Sequence, residues 1–203
     1  MDDTIPVGQA VEILRKSFVN ATVPPTQDAS KMNMLGVSWE VIQGFRSLIQ
    51  DMSIDLLAAA AYRKGPISNI APDDPAWHTR DICEQLIKPI TRCGCSYSEL
   101  LAGLSSGSDD HQAAPANVFV SHAWDCPFEQ VCSALETFFD SEHARSKGLT
   151  QGNTFFWFDI FSVRQRNSEE AQVDPKPEGW WMDTFLVAIK VFVITSPAYT
   201  NTS

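Results

Sequence analysis

The chain has 203 residues, 44% of them hydrophobic and including 12 Phe and 6 Trp, which is ample material for a folded core and excludes global disorder. A formal charge of -10 argues against a nucleic-acid binder, which needs clustered Lys and Arg to neutralise phosphate, and against docking on anionic lipid. Five cysteines, an odd number without disulfide-scaffold spacing, and an acidic start without a secretory leader point to a reduced, cytoplasmic setting.

The first 115 residues read as helical. Val11, Ile13, Leu14 and Phe18 form a short apolar stripe before the breaker NATVPPTQDAS. Ser38 is placed to cap a second helix, in which Val41, Ile42, Phe45, Leu48, Ile49 and Met52 recur at helical spacing. That helix continues or restarts through IDLLAAAAYRKG, and GPISNIAPDDP is a turn-rich connector. A further helix is expected from Thr79 to Pro89, and Ser96 caps YSELLAGL. Residues 105–115, SSGSDDHQAAP, read as a linker between a helical region (1–104) and a second domain (116–203).

Beyond the linker the pattern alternates. NVFVSHAW reads as a strand and PFEQVCSALETFFDSEHARSKG as a helix with Pro127 in its first turn, Glu129 and Glu136 sharing its solvated face. NTFFWFDI is a second strand, WWMDTFLVAIK a helix and VFVITS a third strand. Strand and helix in alternation predict parallel strands with right-handed crossovers, and near-continuous apolar strands predict a sheet covered on both faces. In such sheets ligands bind beyond the strand carboxyl ends, where Ser121, His122 and Trp124 fall, with Asp159 ending the neighbouring strand. Adjacent Ser121 and His122 point to opposite faces, so they cannot pair as nucleophile and base. His122, Cys126 and Cys132 lack a fourth partner for a closed zinc site, so no metal is expected. No glycine-rich phosphate cradle follows any strand. The run from Phe185 to Ile194 is interrupted by Lys190 and too short to span a bilayer, so no membrane insertion is expected.

The segments VFVSHAW, FFWFDIFSVRQ, WWMDTFLVAI and VFVITSPAY, in this order and preceded by ICEQLIKPITRCGCSYSELL, resemble a divergent Toll/interleukin-1 receptor (TIR)-like domain of the kind found in multidomain proteins of protists and algae. The resemblance covers roughly residues 80–203 and implies a flavodoxin-like α/β fold, here an incomplete parallel sheet preceded by the helical region. It implies a signalling or assembly module that works by self-association or by binding another TIR-like chain. It also implies an alternative, an NAD-binding or NAD+-cleaving hydrolase, with NAD as its candidate ligand or substrate and no cofactor assigned. In the catalytic kind a Glu stands in a Trp-Cys-x-x-Glu-like motif after the third strand; this sequence ends at SPAYTNTS, and no residue in it takes that place. Ser121, His122, Trp124, Asp159 and Arg164 would then line the nicotinamide and ribose pocket. The loop 162–179 takes the position of the TIR assembly loop, with Arg166, Trp180 and Trp181 as candidate contacts. Arg164 and Arg166 suit either a pyrophosphate grip or a solvated loop of mixed charge.

Overall fold

The computed structural model describes residues 5–18, 34–63, 68–91, 95–104 and 111–165. The chain begins with α1 (Val7–Ser17), passes to β1 (Leu35–Ser38) and turns directly into α2 (Trp39–Gln50). Ser38 makes that turn as expected, its hydroxyl accepting the Val41 N–H at 3.4 Å. α3 (Leu56–Arg63) follows. Next come α4 (Thr79–Asp81), a π-helical stretch (Ile82–Ile87) and α5 (Lys88–Ile90) in one continuous rod. Pro89 has no N–H to give to the preceding turn, and the widened winding absorbs it, Lys88 N–H donating to Cys83 O five residues back. α6 (Tyr97–Leu104) is capped by Ser96, whose hydroxyl accepts the Glu99 N–H at 3.2 Å.

After α6 come β2 (Ala113–Pro115), β3 (Val118–Val120), α7 (Phe128–Phe139), α8 (Glu142–Ser146), β4 (Phe155–Phe158) and α9 (Asp159–Ser162). The helix expected as one piece after β3 is two, because Ser141 leaves helical geometry and caps α8 through Ala144 N–H. Glu129 and Glu136 do share one face of α7, and both accept from Arg46 of α2, which pins the two helices together. On α1 the buried side is Ala10 and Val11, whereas Ile13 is 55% exposed, against its place in the predicted stripe.

The protein is α/β, but its sheet is mixed, which corrects the expectation of a purely parallel one. The described strands are ordered β2-β1-β4-β3. β3 and β4 run parallel, Val118 opposite Phe156 and Val120 opposite Phe158, joined across α7 and α8 as predicted. β1 lies antiparallel to both β2 and β4. A strand from the region expected to be wholly helical therefore covers the β4 edge, and β2, from residues expected to be linker, extends the sheet beyond it. Both are too short for a readable alternation, and β1 carries a glycine, which strand propensity disfavours.

That glycine is required by contact. A Cβ on Gly36 would lie 2.8 Å from the Phe156 backbone and 2.9 Å from the Ala116 Cβ. Gly36→Ala is expected to push β1 off β4 and cost about 1–3 kcal/mol in urea unfolding; a neutral result would show that β1 can shift without loss.

Alternation along β3 and β4 gives the sheet two apolar faces. Val37, Val118, Val120, Phe156 and Phe158 join the main core with α2, α6, α7 and α9. On the other face Phe119 and Trp157 stack at 5.1 Å with Met34, Ala116 and Val163 beside them. Trp157 is fully buried, the core role its place in an apolar strand predicts.

Candidate functional site

The carboxyl ends of β3 and β4 bring His122, Trp124 and Asp159 together. Asp159 opens α9 rather than ending the strand, so its carboxylate sits at the start of a helical turn, where Oδ1 accepts its own helix's Ile160 N–H at 2.8 Å. Oδ2 accepts the Trp124 indole N–H at 2.9 Å. The His122 Nδ1 stands 3.6 Å from Oδ1, in electrostatic contact but beyond hydrogen-bond length. The His122 ring packs edge-on against Phe158 at 4.7 Å, and its Nε2 is buried without a hydrogen-bond partner among the described residues.

Burial sets the charge states here. It pushes the Asp159 carboxyl above the usual carboxylate range, with the nearby His122, the Trp124 N–H and the Ile160 N–H pulling the other way. It pushes the His122 imidazole down, and the Asp159 charge offsets this only in part. A histidine favoured neutral in the fold costs nothing above its unfolded pKa of about 6.5 and destabilises progressively as pH falls below it. Stability is therefore expected to drop on acidification from pH 7 toward 5, and His122→Phe is expected to flatten that limb in urea titrations at each pH. An unchanged slope in the variant would remove His122 as its source.

The loop carrying this cluster is held from behind by the rod's amino-terminal end. Thr79 N–H donates to Cys126 O and Arg80 N–H to Trp124 O, while the Thr79 hydroxyl donates to Trp124 O at 2.7 Å. The Arg80 guanidinium lies 5.6 Å from the Trp124 ring centroid and donates to Asp125 at 2.9 Å. Asp125 also accepts the Asn69 N–H at 2.7 Å. Burial would raise its carboxyl, but the Asn69 N–H and the Arg80 guanidinium hold it below the usual range.

A buried ion pair anchors that support in turn. Arg63 and Asp81 both have fully buried side chains, joined through Nε to Oδ1 at 3.0 Å and Nη2 to Oδ2 at 2.6 Å. The remaining guanidinium hydrogens donate to the carbonyls of Ala71, Asp74 and Ala76, and Asp81 also accepts the His78 N–H and the Tyr62 hydroxyl. Sequence reasoning passed over this pair. Its one signal was an arginine closing the otherwise apolar run LLAAAAYR, a position that needs a buried acid somewhere else in the chain.

The other candidates separate. Ser121 is exposed just past β3, and no hydrogen bond joins it to His122 or Asp159 among the described residues. Arg164 is not in the cluster: its Nη2 donates to Glu99 of α6 at 2.8 Å and its Nε at 3.1 Å, and this pairing outweighs the burial that would raise the Glu99 carboxyl. Arg166, Trp180, Trp181, the WWMDTFLVAI helix and the VFVITS strand lie outside the described residues. Among the described residues no three His, Cys, Asp or Glu side chains are grouped to hold a metal ion, and no helix is long and apolar enough to cross a membrane. Against protein-family models, curated proteins and solved structures, the chain matches none.

Proposed function

We propose that the chain is a TIR-like assembly module of flavodoxin type, working through self-association or through binding another chain of its kind. The observation that carries this reading is the inward commitment of the polar groups around the strand ends. Asp159 is engaged by Trp124 and its own helix, and Arg80 by Asp125. Groups spent on internal bonds hold a loop in one shape, which serves a contact surface better than it serves catalysis. The flavodoxin-like part of the reading draws on the parallel β3–α7–α8–β4 unit and on the position of β3 at the end of the described strand order. That is the side on which a doubly wound order would add a third parallel strand, the place the sequence offers VFVITS.

One observation favours the alternative, an NAD+ hydrolase. Among the described residues the His122 Nε2 is buried without a partner beside an acid, at the sheet edge where α/β folds bind ligands. Cleavage of the glycosidic bond develops positive charge on the ribose that a carboxylate would have to stabilise, and Asp159 is the carboxylate of this cluster.

Two measurements on the purified chain, from micromolar to near-millimolar concentration, separate the readings. Light scattering that reports rising mass, with no nicotinamide released from NAD+, supports assembly. A constant monomer mass with no partner chain recovered overturns it. Nicotinamide release that disappears in both His122→Ala and Asp159→Ala transfers the function to the alternative.

A further inference from the structure

A cavity elsewhere in the described fold shares no residue with the strand-end cluster. It has a volume of about 310 Å³ and opens between α1, α2 and α6, with Leu14, Val41, Phe45 and Leu48 as apolar walls. That is the lower end of the range of small-molecule sites, room for about ten non-hydrogen atoms at roughly 30 Å³ each.

Three polar side chains line the same space: Glu40, Tyr97 and Gln112. Tyr97 is only 5% exposed, its ring set edge-on against Phe45 at 5.3 Å and Phe18 at 5.4 Å. Its hydroxyl makes no hydrogen bond among the described residues and keeps some solvent contact, which leaves it free to bond a ligand in the cavity. Neither the Glu40 carboxylate nor the Gln112 amide is hydrogen-bonded within the described fold. Gly44 completes the lining from the middle of α2. A Cβ there would meet nothing within 4 Å, so packing does not require a glycine that weakens the helix. A glycine at this point keeps the cavity open.

We propose that this cavity binds a small organic cation, an amine bearing one aromatic ring or a short apolar chain. The apolar part lies against Phe45 and Leu48 over Gly44, the ammonium faces the Glu40 carboxylate, and the Tyr97 hydroxyl and Gln112 amide supply the remaining hydrogen bonds. Charge sets the class: the one acidic side chain on the lining, Glu40, is exposed at the cavity mouth beside the apolar walls, and no basic side chain on the lining opposes a cation. The site goes beyond the assembly reading and stands independently of it.

The test is a ligand-observed NMR titration of the full chain with 2-phenylethylamine and with 2-phenylethanol, which replaces the ammonium by a hydroxyl. The amine is expected to bind about fivefold or more tightly than the alcohol, and Glu40→Gln to abolish that preference while leaving the alcohol's affinity unchanged. Gly44→Leu is expected to eliminate binding of both without lowering the melting temperature. Gly44→Ala, the milder filling, is expected to weaken both and raise the melting temperature, and it serves if the leucine variant fails to fold. No saturable binding of the amine, equal affinity for the two probes, or undiminished binding in a folded Gly44 variant would overturn the proposal.

Discussion

Arg63→Met is expected to lower stability by about 3–5 kcal/mol, because it leaves the Asp81 charge buried without its counter-ion. Arg63 and Asp81 have no exposed side-chain surface, so water cannot take the missing partner's place. The loss extends beyond one pair. The carbonyls of Ala71, Asp74 and Ala76 lose their donor, and with them the connector that carries His78, Thr79 and Arg80 to the strand-end loop. For a chain of this size the change corresponds to roughly 6–20 °C in melting temperature. Urea unfolding checks the magnitude, and a double variant, Arg63→Met with Asp81→Leu, is expected to recover much of the loss by removing the stranded charge. A single-variant cost under about 1 kcal/mol would mean that the pair is hydrated in solution.

The same pair has a pH signature. Burial alone would raise the Asp81 carboxyl, but hydrogen bonds from His78, Arg63 and Tyr62 outweigh it and lower it to about 2 from 3.8. A depressed carboxylate contributes its full stabilisation above the unfolded value and loses it as pH falls from there through the folded one. The contribution of Asp81 is therefore complete at pH 5 and disappears between about 3.8 and 2, well below the pH range in which His122 acts. The two acid limbs can be separated in one titration.

Phe158→Ala is expected to cost about 3–5 kcal/mol, the range for deleting a fully buried aromatic ring whose surroundings cannot collapse. Phe158 has no exposed surface and stands between the core and the candidate site. Its ring meets Phe161 at 5.4 Å in an edge-to-face contact, stacks with Phe128 at 6.4 Å and receives the edge of His122 at 4.7 Å. The vacated space would let water reach the buried His122 Nε2, so the variant should also lose part of the acid destabilisation assigned to that histidine. Urea unfolding at pH 7 and pH 5 reads both effects. A large stability loss with an unchanged pH slope would separate the ring's packing from the histidine's charge state.

Much of the local structure was legible because it depends on neighbours in the chain. Ser38 and Ser96 cap the helices they were expected to cap, since a hydroxyl one residue before an apolar-periodic run satisfies amide groups of its own first turn. The paired strands VFV and FFWF, and the helical crossover between them, follow from apolar runs bounded by turn residues. An open sheet edge had to be covered, which strand chemistry alone requires. What covers it was not legible. β1 is four residues long with Gly36 in it, and its pairing with β4 depends on a close approach to Phe156 that no local pattern records.

The candidate site divides along the same line. That Ser121, His122 and Trp124 fall at a strand's carboxyl end, and that Asp159 follows the neighbouring strand, was readable from order along the chain. Only the tertiary structure decided that Asp159 would engage the Trp124 indole and stand beside the His122 ring, that Arg164 would turn away to Glu99, and that Arg63 would find Asp81. Charge pairing acts through space over a few ångströms, and those partners lie 18 to 65 positions apart in sequence. Periodicity and capping are properties of a segment, so this sequence determined most of its described helices and its two parallel core strands by itself. Partner choice among buried polar groups is settled by which segments the fold brings within hydrogen-bonding distance, and only the tertiary structure decided it.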